Sequence, residues 1–156
     1  MRNLRFFRSA AVGGAILLSA SGAFADSVNM TVSASVPAGC RMTSVPAMSF
    51  GTLDLVSALD VSVPVTVSFK CTVGTTATSF SVGGTATSPY TSNLSSGGNT
   101  IAYSISWLAP TFVAGTGVGA TGTATDVTLT GSILGTAYAN KPVGNYSQTV
   151  AIAINP

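Results

Sequence analysis

Val61-Ser-Val-Pro-Val-Thr-Val-Ser-Phe-Lys-Cys71 decides the fold class. Every second residue, from Val61 through Val63, Val65, Val67 and Phe69 to Cys71, is apolar, and small or polar residues stand between them. Side chains of a β-strand point alternately to its two faces, so this pattern gives one apolar face and one wet face. The parity carries the Cys71 sulfur toward the core. Pro64 lies on the opposite face and has no N–H for a ladder bond, which predicts a bulge or an edge position.

The same period recurs along the chain. Ile101, Tyr103, Ile105 and Trp107 make a second stripe; Val127 and Leu129 make a shorter one, with Ile133 just beyond. Tyr146, Gln148, Val150, Ile152 and Ile154 make the last, alternating with Ser147, Thr149, Ala151 and Ala153. Near the other end, Val28, Met30, Val32, Ala34 and Val36 alternate with Asn29, Thr31, Ser33 and Ser35. Turn-forming breaks separate the runs: Gly83-Gly84, Ser95 to Asn99, Gly115 to Gly122 and Asn140 to Asn145. No segment has helical periodicity. Short alternating strands with frequent turn signals predict an all-β antiparallel sandwich or barrel. An outer-membrane barrel fits poorly, because its aromatics would form girdles at the membrane surfaces, whereas the few here sit on the apolar stripes.

Ahead of this pattern stands an export leader. Arg2, Arg5 and Arg8 precede the small apolar run Ala10 to Ala20, and Ala23-Phe-Ala25 has the small-x-small form of a cleavage site. The apolar run is shorter than the ~20 residues that span a bilayer. Residues 1–25 are therefore read as a signal peptide cleaved after Ala25. The mature chain, 26–156, is long enough for one domain with its own core. Half of the six basic residues leave with the leader. Arg41, Lys70 and Lys141 then face Asp26, Asp54, Asp60 and Asp126, so the mature chain is slightly acidic. Three scattered cations cannot neutralise a phosphate backbone, which excludes nucleic acid as a partner. Two cysteines in an exported chain, Cys40 and Cys71, predict one disulfide.

Catalytic chemistry has little to work with. The chain has no histidine, and its four acidic residues are all aspartates. Ser–His–Asp and Cys–His catalysis and most zinc sites are therefore excluded. Asp54, Asp60 and Asp126 sit at strand ends and turns, without the clustered oxygen ligands of a calcium site. Gly117-Val-Gly-Ala-Thr-Gly122 matches a dinucleotide-binding pattern, but no helix pattern follows it, so it reads as a β-loop. The Asn-x-Ser/Thr triplets at Asn29, Asn93 and Asn145 are what a Ser/Thr-rich chain produces by chance. No cofactor, metal or small-molecule substrate is expected, and the chain is not expected to be an enzyme.

Several runs resemble a known family. Val36-Pro-Ala-Gly-Cys40, Met48-Ser-Phe-Gly-Thr-Leu-Asp54, Val65-Thr-Val-Ser-Phe-Lys-Cys-Thr72, Ile101-Ala-Tyr-Ser-Ile105 and Gly144-Asn-Tyr-Ser-Gln-Thr-Val-Ala-Ile-Ala-Ile-Asn155 are similar, in order, to the spore coat protein U domain. This family includes subunits of archaic chaperone–usher pili. Ser147-Gln148 departs from the pair expected there, and Pro156 stands where an aromatic is common.

The resemblance implies an incomplete immunoglobulin-like sandwich that lacks its final strand and is completed by donor-strand exchange. A periplasmic chaperone would fill the resulting groove first, and at an outer-membrane usher the N-terminal strand of another copy or a related subunit would replace it. Residues 26–37 would then be the donor, with Val28, Met30, Val32, Ala34 and Val36 inserted, and residues 38–156 the pilin domain. The acceptor groove would be flanked by Tyr146, Val150, Ile152 and Ile154, with Phe50, Val65, Val67 and Phe69 beneath. The Cys40–Cys71 bridge would tie the strand after the donor to the next core strand. The expected function is structural: a surface pilus subunit supporting adhesion and biofilm formation, exported through the periplasm. The alternative is a secreted monomer that pairs its own N-terminal strand and binds a glycan or cell surface. The residues agree with the first where they can. The apolar terminal stripe has no further segment to cover it, and so few charges on an open groove would invite aggregation without a chaperone.

Overall fold

The computed structural model describes residues 26–156; the leader and its cleavage point lie outside the described residues. Seven antiparallel strands and one helical turn follow in order: β1 (Cys40–Ser44), β2 (Val61–Cys71), β3 (Ser79–Val82), β4 (Tyr90–Ser96), β5 (Asn99–Trp107), β6 (Thr125–Ile133), α1 (Gly135–Tyr138) and β7 (Ile152–Asn155). They form an immunoglobulin-like sandwich of unequal layers: a five-stranded sheet in the order β1-β2-β6-β5-β4, and a sheet of only β3 and β7.

The stripes read from the sequence form the core. Val67, Phe69 and Cys71 of β2 are buried, as are Ile101, Tyr103, Ile105 and Trp107 of β5 and Val127, Leu129 and Ile133 of β6. Phe80 and Val82 of β3 meet them from the second layer, and the Phe80 ring stands edge-on to Trp107, with centroids 6.2 Å apart. The opposite face of the larger sheet is rich in hydroxyls. Ser62, Ser132, Ser104 and Thr91 lie in one cross-strand row. The disulfide joins Cys40 to Cys71, which are paired directly across β1 and β2. The crosslink closes a 31-residue separation and stabilises the fold by about 3–4 kcal/mol in the chain-entropy model. Pro64 sits at an edge, because β1 covers β2 only from Ser68 to Cys71.

Two features depart from the sequence reading. The terminal stripe is not one strand. Ser147 makes an isolated bridge to Ser95, and the ladder with β3 holds only Ile152–Asn155. The intervening residues cross from the edge of one sheet to the other and cannot pair with both. The N-terminal alternation makes no strand at all. Residues 26–39 have no secondary structure, and Val28, Met30 and Val32 are 86%, 83% and 81% exposed. Alternation assigns side chains to faces, but a strand exists only where a neighbouring backbone supplies hydrogen bonds.

Candidate functional site

β6 has a gap in its inward row. Gly131 falls between Leu129 and Ile133 with no side chain, and an added Cβ would collide with the Met48 sulfur and the Phe50 ring. The connection between β1 and β2 therefore drops Met48 and Phe50 into the space that Gly131 leaves. Phe50 stands edge-on to Tyr103, at 6.4 Å between centroids. This anchor holds the Met48–Leu53 segment over the five-stranded sheet.

The facing wall is the segment before β7. The backbones of Ser147 and Ser95 exchange two hydrogen bonds of 3.1 Å. Gly144 packs so closely on Ser96 that a Cβ would lie 2.7 Å from its hydroxyl. Gln148 reaches inward: its amide oxygen accepts from the Tyr103 hydroxyl at 2.8 Å, and its amide nitrogen donates to Ser92 at 2.9 Å. Gln148, in the Ser147-Gln148 pair that departs from the family pattern, thus binds the wall to β4 and β5. Burial, and then the neighbouring Tyr90, push the Tyr103 phenol up to about 12, so its hydroxyl stays a donor across the physiological range.

Between the walls lies a cleft of about 520 Å³, floored by Leu94, Ile101, Ile133 and Tyr138. Outside the Ser147–Ser95 pair, neither wall is paired along the cleft among the described residues. Met48–Leu53 and Gln148–Val150 make no backbone-to-backbone hydrogen bonds among the described residues. At the far end the cleft is shut, because β1 lies beside β7. It is therefore a wedge, closed where β1 meets β7 and open near Phe50 and Tyr146.

Of the eight groove residues expected from the sequence, Phe50 and Tyr146 line this cleft. Val67 and Phe69 lie in the core beneath the two sheets, 1% and 3% exposed. Val65, Val150, Ile152 and Ile154 are half-buried against that core. The floor and the Met48 anchor were not anticipated, since Gly131 carries no apolar signal and α1 no periodicity. Among the described residues, no group of three or more His, Cys, Asp or Glu side chains could hold a metal, and no helix is long and apolar enough to cross a membrane.

Apolar side chains beside backbone with free hydrogen-bonding groups make the kind of surface to which an extended chain can add. The model of the Spore Coat Protein U domain matches residues 26–153. The chain belongs to that family. The family is associated with structural pilus subunits, not with enzymes, and its members are secreted or surface-exposed. No curated protein and no solved structure matches the chain significantly.

Proposed function

We propose that this spore coat protein U domain is a fibre subunit assembled by the chaperone–usher route, in which the cleft of one copy receives residues 26–37 of another. The observation that supports this best is the cleft with two unpaired walls beside a layer of only two strands. A two-stranded layer is marginal by itself, and an inserted strand would widen it and satisfy both walls. The donor stripe suits the task. Val28 to Val36 is nine residues long, as is Tyr146 to Ile154, and its apolar side chains are exposed. Each Val or Met that enters an apolar groove contributes roughly 1.5–3 kcal/mol. Until then the open cleft and sheet edge are aggregation-prone, which is the reason for a periplasmic chaperone, with an outer-membrane usher to exchange it. Fibres at the cell surface would serve adhesion and biofilm formation.

Deleting residues 26–37 tests the proposal. The shortened chain, expressed with its chaperone, is expected to fold in the chaperone complex and to fail to polymerise. A chain that pairs its own N-terminal strand would instead lose its fold on deletion, and that result would overturn the proposal.

A further inference from the structure

The bodies of successive copies must also meet, and the geometry says where. The segment from Tyr146 to Asn155 runs from the open end of the cleft to its closed end, where β7 lies beside β1, the strand that Cys40 begins. A donor entering the wedge has to leave by its open end, so Val36 would emerge beside Tyr146, with the donor antiparallel to that segment. Only Pro37, Ala38 and Gly39 separate Val36 from Cys40. Four residue steps reach at most about 14 Å. The Cys40 end of the next body is thus held against the open end of this one.

That open end carries an apolar patch left exposed among the described residues. Leu55, Val56, Leu59 and Val143 are exposed there, Val56 to 96%, and Leu55 and Val143 also line the mouth of the cleft. The patch is rigidly presented. Asp54 accepts from the Val56 N–H at 2.8 Å and the Ser57 hydroxyl at 2.6 Å, and the Asp54 carbonyl accepts from the Ala58 N–H at 2.9 Å. Ala58 closes the turn at φ +43, and its carbonyl packs on Gly135, where no Cβ fits. Asp60 accepts from the Gly135 N–H at 2.8 Å, and Tyr138 donates to the Leu59 carbonyl at 2.6 Å. The Cys40 end has its own exposed apolar residues, Val73 and Val113, held by the Gly74–Gly115 backbone bond and the Thr76–Ala114 bridge.

We infer that the Leu55–Leu59 turn and Val143 of one copy dock against the Val73 end of the next copy, setting the bodies end to end. The inference rests on the proposed strand exchange. The contact joins two different surfaces, so each copy keeps one of them free for a further copy. It depends on the inserted strand, which holds the two ends at a high effective concentration.

Single Val56→Cys and Val73→Cys variants of the full chain test it by maleimide labelling, with the native disulfide left oxidised. Both thiols should label fast in unassembled subunits. In polymers that run as ladders without boiling, both should label about ten-fold more slowly. Equal rates in ladder-forming polymers would overturn the end-to-end contact while leaving strand exchange standing. Absence of ladders from the unsubstituted chain would overturn strand exchange, and this contact with it. As a second measure, Val56→Lys, which lies outside the cleft, should keep the ladders while electron micrographs show irregular angles between successive beads. Unchanged regularity would count against the contact.

Discussion

Two stretches of this chain alternate equally well and meet opposite fates. Val61 to Cys71 is the backbone of the core, paired with β6 over nine residues and with β1 at its end. Val28 to Val36 is exposed and unpaired. The difference lies in the neighbours and not in the pattern. β2 follows a disulfide-tied strand and lies between β1 and β6. The N-terminal stripe has no strand partner among the described residues. An alternating segment thus states which side chains will be buried together, and leaves open whose core they will enter.

The widest test of this contrast is one charge placed in each stripe. Val67→Asp should prevent folding, because a carboxylate with no partner would enter a fully closed core, at a cost of more than about 4 kcal/mol. Val32→Asp should leave the melting temperature of the unassembled subunit unchanged and abolish polymers. If Val32→Asp subunits still polymerise, Val32 is not a donor residue and the contrast between the stripes collapses. Next in size, replacing both Cys40 and Cys71 by Ser should lower stability by about 3–4 kcal/mol, read by urea denaturation, without changing which surfaces assemble.

Much of this was legible in advance, and the physical reason is periodicity. Three core stripes, the turn-rich breaks, the cysteine pairing and the edge position of Pro64 all follow from alternation and parity. β3 and β4 escaped because Ser79-Phe-Ser-Val82 is too short to establish a period, and Tyr90 to Ser96 offers two apolar residues in seven. The site was legible only at Phe50 and Tyr146. Its floor depends on an absence, the missing side chain of Gly131, which means nothing until Met48 and Phe50 are found in its place. The crossing of Gln148–Ala151 between sheets was hidden for a related reason: alternation continues through the crossing although the partner changes.

That Gly131 vacancy gives the next test. Gly131→Ala should displace Met48 and Phe50 and cost about 1–3 kcal/mol. It should also weaken donor-strand capture, measured with a peptide of residues 26–37, because one wall loses its anchor while the other keeps Ser147 and Gln148. An unchanged peptide affinity would mean that the Met48–Leu53 wall is not part of the acceptor.

The smallest effect concerns the other wall and can be read by pH. Tyr103 donates to Gln148, and its phenol is raised to about 12, chiefly by burial. A raised folded value means that the neutral form is favoured in the native state. Its contribution is full below the ordinary tyrosine value near 10 and is lost as pH rises from there through about 12. The native chain should therefore lose stability across that alkaline window, and the ultraviolet titration should show one phenol ionising late. Gln148→Leu removes the acceptor and leaves the phenol buried. It should cost about 1 kcal/mol at neutral pH and keep the late titration, since burial and not the hydrogen bond is the main cause of the shift. A titration that falls to the ordinary range in Gln148→Leu would instead show that Gln148 keeps water off Tyr103. Gln148 would then close the wall against solvent as well as tie it to β4 and β5.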